Sequence, residues 1–400
     1  MPPSLKTLIL EERRPRLCRL SHADASFLIR EHRCHLDVLP DPRPHRYRLV
    51  ANGYVGVILA PSLRLVIRPK LPLRNLLHLL DPSATFAGED EVQGREAEPV
   101  DVVADWFRCR LDDLIASGLH QGYRESPSQG SLLQGRLDVR AQLRNAPGRK
   151  DQLHGQVEHF TRDMPCNQVL RSTTELLVAS PLLAEEVSQS LRQTLQKLEG
   201  ISTIPLHDEV WKTLAGASLP PAYRPVLELA RGLAQGCIPT DQTGTTPAPA
   251  FLLNLERLFE RHISRGIETA FARRAPCQVD LQASHSIAEP TPQQPGWSIR
   301  PDVLIRRAGN PRLVLDVKWK RLSRTALVSE DVYQVLAYAQ ALRVHWAVLV
   351  YPGSRDALWQ YPITGTPVTL QIRKVRVTGP WKRCLRSLNK LGRDLRRLCT

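Results

Sequence analysis

Four hundred residues exceed what one hydrophobic core comfortably organises, so at least two domains are expected. A 42% apolar content is ordinary for a soluble globular chain, and no run approaches the roughly 18 to 20 apolar residues that a membrane span needs. The formal net charge of +15 favours polyanionic partners, nucleic acid first, although an arginine-rich surface alone would give the same excess. Met1 to Arg19 alternates apolar and charged residues without a signal-peptide core, which makes the cytoplasm the expected compartment. Eight scattered cysteines with no C-x-x-C pair argue for reduced thiols over a zinc site, and His32, Cys34 and His35 lack a second ligand pair.

The first 80 residues read as β-rich. Tyr47 to Ala51, then Asn52-Gly53, then Tyr54 to Leu59 carries the pattern of a tight hairpin, and Leu63 to Arg68 is a further strand. The acidic stretch from Pro82 to Pro99 is expected to be an exposed loop. Helical periodicity runs from Val102 to Leu119, and residues 125 to 165 are polar and basic with several glycine and proline breakers. Helices are predicted over Asn167 to Ala179, Leu182 to Leu198 and Pro225 to Ala234. The Thr, Pro and Gly run from Pro239 to Pro249 then marks a domain boundary. The expected division is therefore 1–240, β-rich over 1–80 and mainly helical over 100–236, followed by a domain at 250–400.

Beyond the boundary the pattern predicts a long helix from Phe251 to Phe271. Strands follow at Cys277 to Ala283, Ser298 to Arg306 and Arg312 to Lys320, then a helix from Glu330 to Leu342 and a strand from His345 to Tyr351. The fold class is mixed α/β (α+β), with an α-β-β-β-α-β core in the C-terminal third. The tail from Trp381 carries Leu385, Leu388, Leu391, Leu395 and Leu398 at helical spacing. Arginines and lysines flank that stripe, so a docked terminal helix with a solvated basic face is expected. Arg393, Arg396 and Arg397 on that face are candidates for DNA phosphate contact.

Candidate chemistry sits on two consecutive strands. As a strand, Leu313 to Lys320 places Leu313, Leu315, Val317 and Trp319 on one face, and Val314, Asp316, Lys318 and Lys320 on the other. Taken alone, this also describes a half-exposed strand with solvated charges. The preceding strand adds Asp302. If pairing is symmetric about Gly309 through a five-residue turn, Arg306 faces Arg312, Leu304 faces Val314 and Asp302 faces Asp316. Two carboxylates opposed on a sheet repel one another. A bound divalent cation gives them a purpose, because Mg²⁺ takes one or two carboxylates plus waters and phosphate oxygens. Such an ion supplies Lewis acidity, and Lys318 on the same face can orient or deprotonate water and offset developing charge. Glu260, or Glu256 one turn earlier, could reach the ion from the long helix, directly or through water. Gln334 and Tyr338 form Q-x-x-x-Y on one face of the later helix, and Lys320 is an auxiliary candidate.

These segments carry a family resemblance. RPDVLIR (300–306), LVLDVKWK (313–320) and DVYQVLAYAQAL (331–342) resemble the PD-(D/E)xK nuclease domain of the McrC family, the cleaving subunit of McrBC-type modification-dependent restriction systems. FLLNLERLFERHI resembles the helix before it. VIRPKLPLRNLLHLL, GRLDV, HFTRDMPCNQVLRSTTELL and AYRPVLELA are similar, more loosely, to the family's upstream region.

The resemblance implies metal-dependent cleavage of double-stranded DNA by Asp302, Asp316 and Lys318, with Glu260 and Gln334 as auxiliaries. The implied ion is Mg²⁺, with Mn²⁺ substituting. It also implies a partner, a GTP-hydrolysing AAA+ subunit that reads modified cytosine, and no membrane. In keeping with a separate motor, the chain carries no G-x-x-x-x-G-K-[ST]. Two departures stand out: Trp319 lies where the family commonly has Tyr, and Glu89 to Glu98 looks like an insertion. The other classes weighed are a non-catalytic adaptor that clamps DNA for a motor, and a RecB-like repair nuclease sharing Q-x-x-x-Y.

Overall fold

The computed structural model describes residues 5–80, 98–144, 152–238, 250–272, 277–289, 296–320, 322 and 329–399. The expected loop at 82–99 (apart from its last two residues), the expected insertion at 89–98 (apart from Glu98) and the linker at 239–249 lie outside the described residues. Among the described residues, no helix is long and apolar enough to cross a membrane.

The chain divides into two compact units. One comprises Met1–Gly56, Ala60–Glu96 and Leu252–Thr400, and the other Val57–Leu59 and Ala97–Phe251. This differs from a single cut between residues 240 and 250. The junction falls at 251/252, but the β-rich N-terminal segment groups with the C-terminal third, not with the helical region.

In the N-terminal segment, Lys6–Glu11 runs parallel to Leu63–Arg68. Arg46–Ala51 lies between Arg16–Arg19 and Leu36–Pro40 in a separate three-stranded sheet. The expected Asn52-Gly53 hairpin is not formed, because Tyr54–Ala60 belongs to the sheet of Leu63–Arg68. Gly53 has φ 69, whereas Asn52 is not in the left-handed region that a two-residue hairpin needs at both positions. The bend instead carries the chain between sheets, and the Gly53 carbonyl accepts the Leu255 amide at 2.9 Å.

The second unit holds the expected helices at Pro99–Ser117, Pro165–Val178, Glu185–Gln196 and Tyr223–Gly236. An unexpected one lies at Asp208–Gly216. The polar stretch after residue 120 is more ordered than its composition suggests: Gly122–Gly130 and Leu153–Thr161 pair antiparallel over nine residues. Both strands are largely exposed, so neither carries the alternating apolar face from which strands are recognised.

The C-terminal third is built on a six-stranded mixed sheet. Its order is Cys277–Leu281, Val303–Arg307, Asn310–Val317, Trp346–Gly353, Thr369–Arg376 and Ala357–Pro362. Asn310–Val317 pairs parallel with Trp346–Gly353, which pairs parallel with Thr369–Arg376. Central parallel strands are covered on both faces. Accordingly Leu313, Val314 and Leu315 are all fully buried and Asp316 is 3% exposed, which removes the half-exposed alternative for this strand. The helix Ser329–Ala341 packs through Val335 and Ala339 over Leu304, Val314, Ala347 and Leu349.

Three boundaries differ from expectation. The long helix begins at Leu255, capped by the Asn254 side chain, and Ala250–Asn254 is a strand. The predicted strand Ser298 to Arg306 is broken at Arg300-Pro301, where a ring nitrogen cannot donate to the ladder. Trp297–Ile299 pairs instead with His285–Ala288. The third, Asn310–Val317, ends before the lysines.

The terminal helix Trp381–Leu398 docks through Leu388, Leu391 and Leu395. It crosses Leu255–Phe271 where both helices carry glycine. A Cβ on Gly266 would lie 2.5 Å from Leu388, and one on Gly392 would lie 2.5 Å from Ala270.

Candidate active site

The hairpin that carries the acids turns through two residues, Ala308 and Gly309, both with positive φ (48 and 81). It is not the expected five-residue turn, and Arg306 opposes Pro311, not Arg312. An irregularity between Ile305 and Arg306 absorbs one residue, after which Ile305 faces Leu313, Leu304 faces Val314 and Val303 faces Leu315. Continuing that register by one residue brings Asp302 opposite Asp316. Asp302 lies just before its strand, and its Oδ2 accepts the Val317 amide at 2.7 Å, beside Asp316.

Lys318 joins them although it lies past the strand end. Its backbone amide donates to the Val350 carbonyl at 2.9 Å, prolonging the strand's direction. Its Nζ lies 2.8 Å from Asp316 Oδ2 and donates to Gln334 Oε1 at 2.8 Å. Gln334 Nε2 donates in turn to the Tyr338 hydroxyl at 2.7 Å. The Q-x-x-x-Y pair therefore holds the lysine. Lys320 is held apart from the acids by Asp331, 2.8 Å away, whose other oxygen accepts the Tyr351 hydroxyl at 2.8 Å.

The two glutamates separate. Glu256 pairs with Arg13 and is engaged away from the acids. Glu260 is raised by burial first, with the charge of Asp316 adding to it, and its carboxylate accepts from Gln282 Nε2. Gln282, Asp331 and Tyr351 were not singled out from the sequence. Gln282 lies at φ 46 just after a strand, and its amide donates to the Asp302 carbonyl at 3.0 Å, a relation visible only in the pairing.

Burial dominates the electrostatics. It pushes the Asp302 carboxyl up to about 7, with the charges of Asp316 and Glu260 adding to it, against the Val317 amide and Lys318. Burial also raises Asp316, partly offset by Lys318, and raises Glu260. The charge of Asp316 thus lifts Asp302, but desolvation is the larger cause. For Lys318, burial favours the neutral amine, but the hydrogen bond and charge of Asp316, with Asp331 and Asp302, outweigh it and raise the pKa. The lysine stays charged.

Among the described residues, no three His, Cys, Asp or Glu side chains stand close enough together to hold an ion as placed. Asp316 Oδ2 is buried and faces the Lys318 ammonium at 2.8 Å. Two crowded, buried carboxylates are the hard oxygen donors that suit a divalent cation such as Mg²⁺.

The terminal helix ends against the other end of the hairpin, where Arg307 donates to the Cys399 carbonyl at 3.2 Å. Arg307 is five residues along the strand from Asp302, a span of about 17 Å. Arg393 and Arg397 are exposed and Arg396 half-buried.

The chain as a whole has known relatives. Residues 49–352 match the family described as McrBC 5-methylcytosine restriction system component. The chain belongs to that family. It is similar to the type IV methyl-directed restriction enzyme EcoKMcrBC of Escherichia coli (strain K12), 20% identical over 327 residues that cover 76% of this chain and 92% of that one. Among solved structures it is similar to a chain in a refined half-complex from a tetradecameric assembly of Thermococcus gammatolerans McrB AAA+ hexamers with bound McrC. There the TM-score is 0.54 at 18% identity, covering 96% of this chain and 100% of that one, which shows a shared fold. A cryo-EM structure of the T. gammatolerans McrBC complex matches with TM-score 0.44 at 18% identity, over 67% of this chain and 89% of that one.

Proposed function

We propose that this chain is the DNA-cleaving subunit of a McrBC-type restriction system, a Mg²⁺-dependent endonuclease of the PD-(D/E)xK class. It works with a GTP-hydrolysing AAA+ partner that recognises modified double-stranded DNA. The observation that carries the reading is the convergence of Asp302, Asp316 and Lys318 at one buried strand end, with Gln334 fixing the lysine. Asp302 and Asp316 would hold the ion, with Glu260 beside them. When bound, the ion supplies Lewis acidity toward the phosphodiester and lowers the pKa of water.

The chain's own groups supply the rest. Lys318 keeps its proton at Nζ and places positive charge where negative charge develops on the phosphoryl oxygens. In the metal-free site the hydrogen bond and charge of Asp316 keep it protonated against burial, which suits it to electrostatic stabilisation. Gln334 and Tyr338 fix its direction. Asp302, bound to the Val317 amide, fixes the strand entry, and the Glu260–Gln282–Arg300 chain braces the opposite side.

The test uses the purified chain with its motor partner on covalently closed, cytosine-modified plasmid. Linearisation with GTP and Mg²⁺ or Mn²⁺, abolished by chelation, is expected. Cutting confined to linear DNA ends would assign an exonuclease, and no cutting would favour a non-catalytic clamp. The chain by itself should hydrolyse no GTP; robust hydrolysis by the lone, pure chain would overturn the division of labour.

DNA binding should weaken steeply with salt, as a protein tracking phosphates releases counterions. Replacing Arg393, Arg396 and Arg397 together by Ala should lower the log–log salt slope by about 2 to 3 if all three touch phosphates. An unchanged slope would leave the terminal helix a packing role only.

A further inference from the structure

Lys318 hangs from irregular backbone. The strand stops at Val317, yet the ammonium must stay 2.8 Å from Asp316. Its neighbours in the chain are pinned on separate sides. Lys320 is held by the buried Asp331. Trp319, only 2% exposed, packs its ring against Phe259, centroids 5.3 Å apart, next in sequence to Glu260. The indole Nε1–H donates to Glu12 Oε1 at 2.6 Å, across 307 positions of sequence.

Glu12 is built into this place. Its side chain is fully buried at the end of Lys6–Glu11, and its amide donates to the Arg68 carbonyl at 2.9 Å. Lys70 lies 3.4 Å from its Oε1 and 5.0 Å from the centre of the Trp319 ring, so one cation serves both the carboxylate and the indole. Burying a carboxylate is costly unless it is paired and hydrogen-bonded, and here Oε1 takes the indole N–H and the charges of Lys70 and Arg13 (3.7 Å), while Oε2 is buried without a hydrogen bond. All of these residues belong to the same compact unit.

From this geometry we infer that Glu12 is a positioning residue for the nuclease site: through Trp319 it fixes the backbone from which Lys318 and Lys320 project. The inference rests on Lys318 acting in catalysis. It gives the N-terminal β-segment a part in the chemistry. It also gives a reason for an indole at position 319, whose N–H must find an acceptor when buried.

The test is kinetic, on the chain reconstituted with its motor partner and modified circular DNA. Glu12→Leu and Trp319→Phe each remove the hydrogen bond; Glu12→Gln keeps an acceptor. Glu12→Leu and Trp319→Phe should lower kcat about 10- to 100-fold, the range that a misplacement of about 1 Å produces. The KM for DNA and the partner's GTP hydrolysis should stay near wild type, and Glu12→Gln should restore most of kcat. The double variant Glu12→Leu/Trp319→Phe should be no slower than the worse single one, because both break one contact.

Wild-type kcat in Trp319→Phe would overturn the inference. So would a loss in Glu12→Gln equal to that in Glu12→Leu, or a fall of kcat that merely tracks a lower melting temperature. If Glu12→Leu does not fold, Trp319→Phe and Glu12→Gln decide the question alone. Asp316→Asn, run in parallel, separates the two levels: if that variant still cuts, the reading of the site itself fails.

Discussion

Asp316→Asn protein, assembled with its partner on modified circular DNA, is expected to cleave slower than wild type by a factor on the order of 10³ or more. Several functions meet in that carboxylate. It is the most buried of the three site acids, the charge partner of Lys318 and, with Asp302, the proposed holder of the ion. Asparagine keeps the volume but cannot offer a charged oxygen to a cation, and Lys318 is left with Gln334 alone. Removing one preorganised electrostatic group commonly costs 10² to 10³ in rate, and here two are disturbed together. Lys318→Ala should lose as much. Asp302 calls for a different choice of variant, because Ala there also leaves the Val317 amide unbonded in a buried place, at about 1 to 3 kcal/mol of stability. Asp302→Asn keeps an acceptor and separates chemistry from folding. Initial rates of plasmid linearisation, with circular dichroism melts as the folding control, decide the matter. Wild-type cleavage by Asp316→Asn would end the nuclease assignment.

The site was legible in the sequence to the extent that it is local. Asp302, Asp316 and Lys318 lie within one hairpin, where a period of two fixes the face and a turn fixes the register. Even so, the register came out as expected for a different reason. The turn is two residues long, and the irregularity at Ile305 and Arg306 supplies the missing residue. Gln334 and Tyr338 were legible because a helix repeat places them one turn apart. What the sequence could not show depends on distant pairing. Glu256 and Glu260 look equivalent along the helix, and only the placement of Arg13 and Gln282 separates them. Trp319 reads as a core residue on an apolar face; its acceptor lies 307 positions away. The Asn52-Gly53 signal is a true turn signal, but which sheet each flanking strand joins is set by tertiary contacts that a two-residue motif does not encode.

The second large effect is on stability and concerns the metal-free protein. In the fold the Asp302 carboxyl is pushed from an ordinary value near 3.8 up to about 7, by burial first and then by Asp316 and Glu260. A carboxyl raised on folding binds more protons in the folded state than in the unfolded one between those two values. Its contribution is therefore fully present below about pH 4 and is lost as pH rises through about 7. The gap corresponds to at most about 4 kcal/mol. In chelator, the unit carrying the site should consequently melt at a lower temperature at pH 8 than at pH 5. Asp302→Asn should flatten that dependence, since its side chain does not ionise. A divalent cation reverses the sign of the problem by giving the ionised acids a partner. Millimolar Mg²⁺ should thus raise the melting temperature at pH 8 by several degrees and leave it nearly unchanged at pH 5, where Asp302 is protonated. The comparison must be made between wild type and Asp302→Asn at each pH, because Asp316 and Glu260 are raised too and contribute in the same direction. Equal pH profiles for the two proteins, or a Mg²⁺ stabilisation as large at pH 5 as at pH 8, would show that Asp302 neither carries the strained charge nor holds the ion.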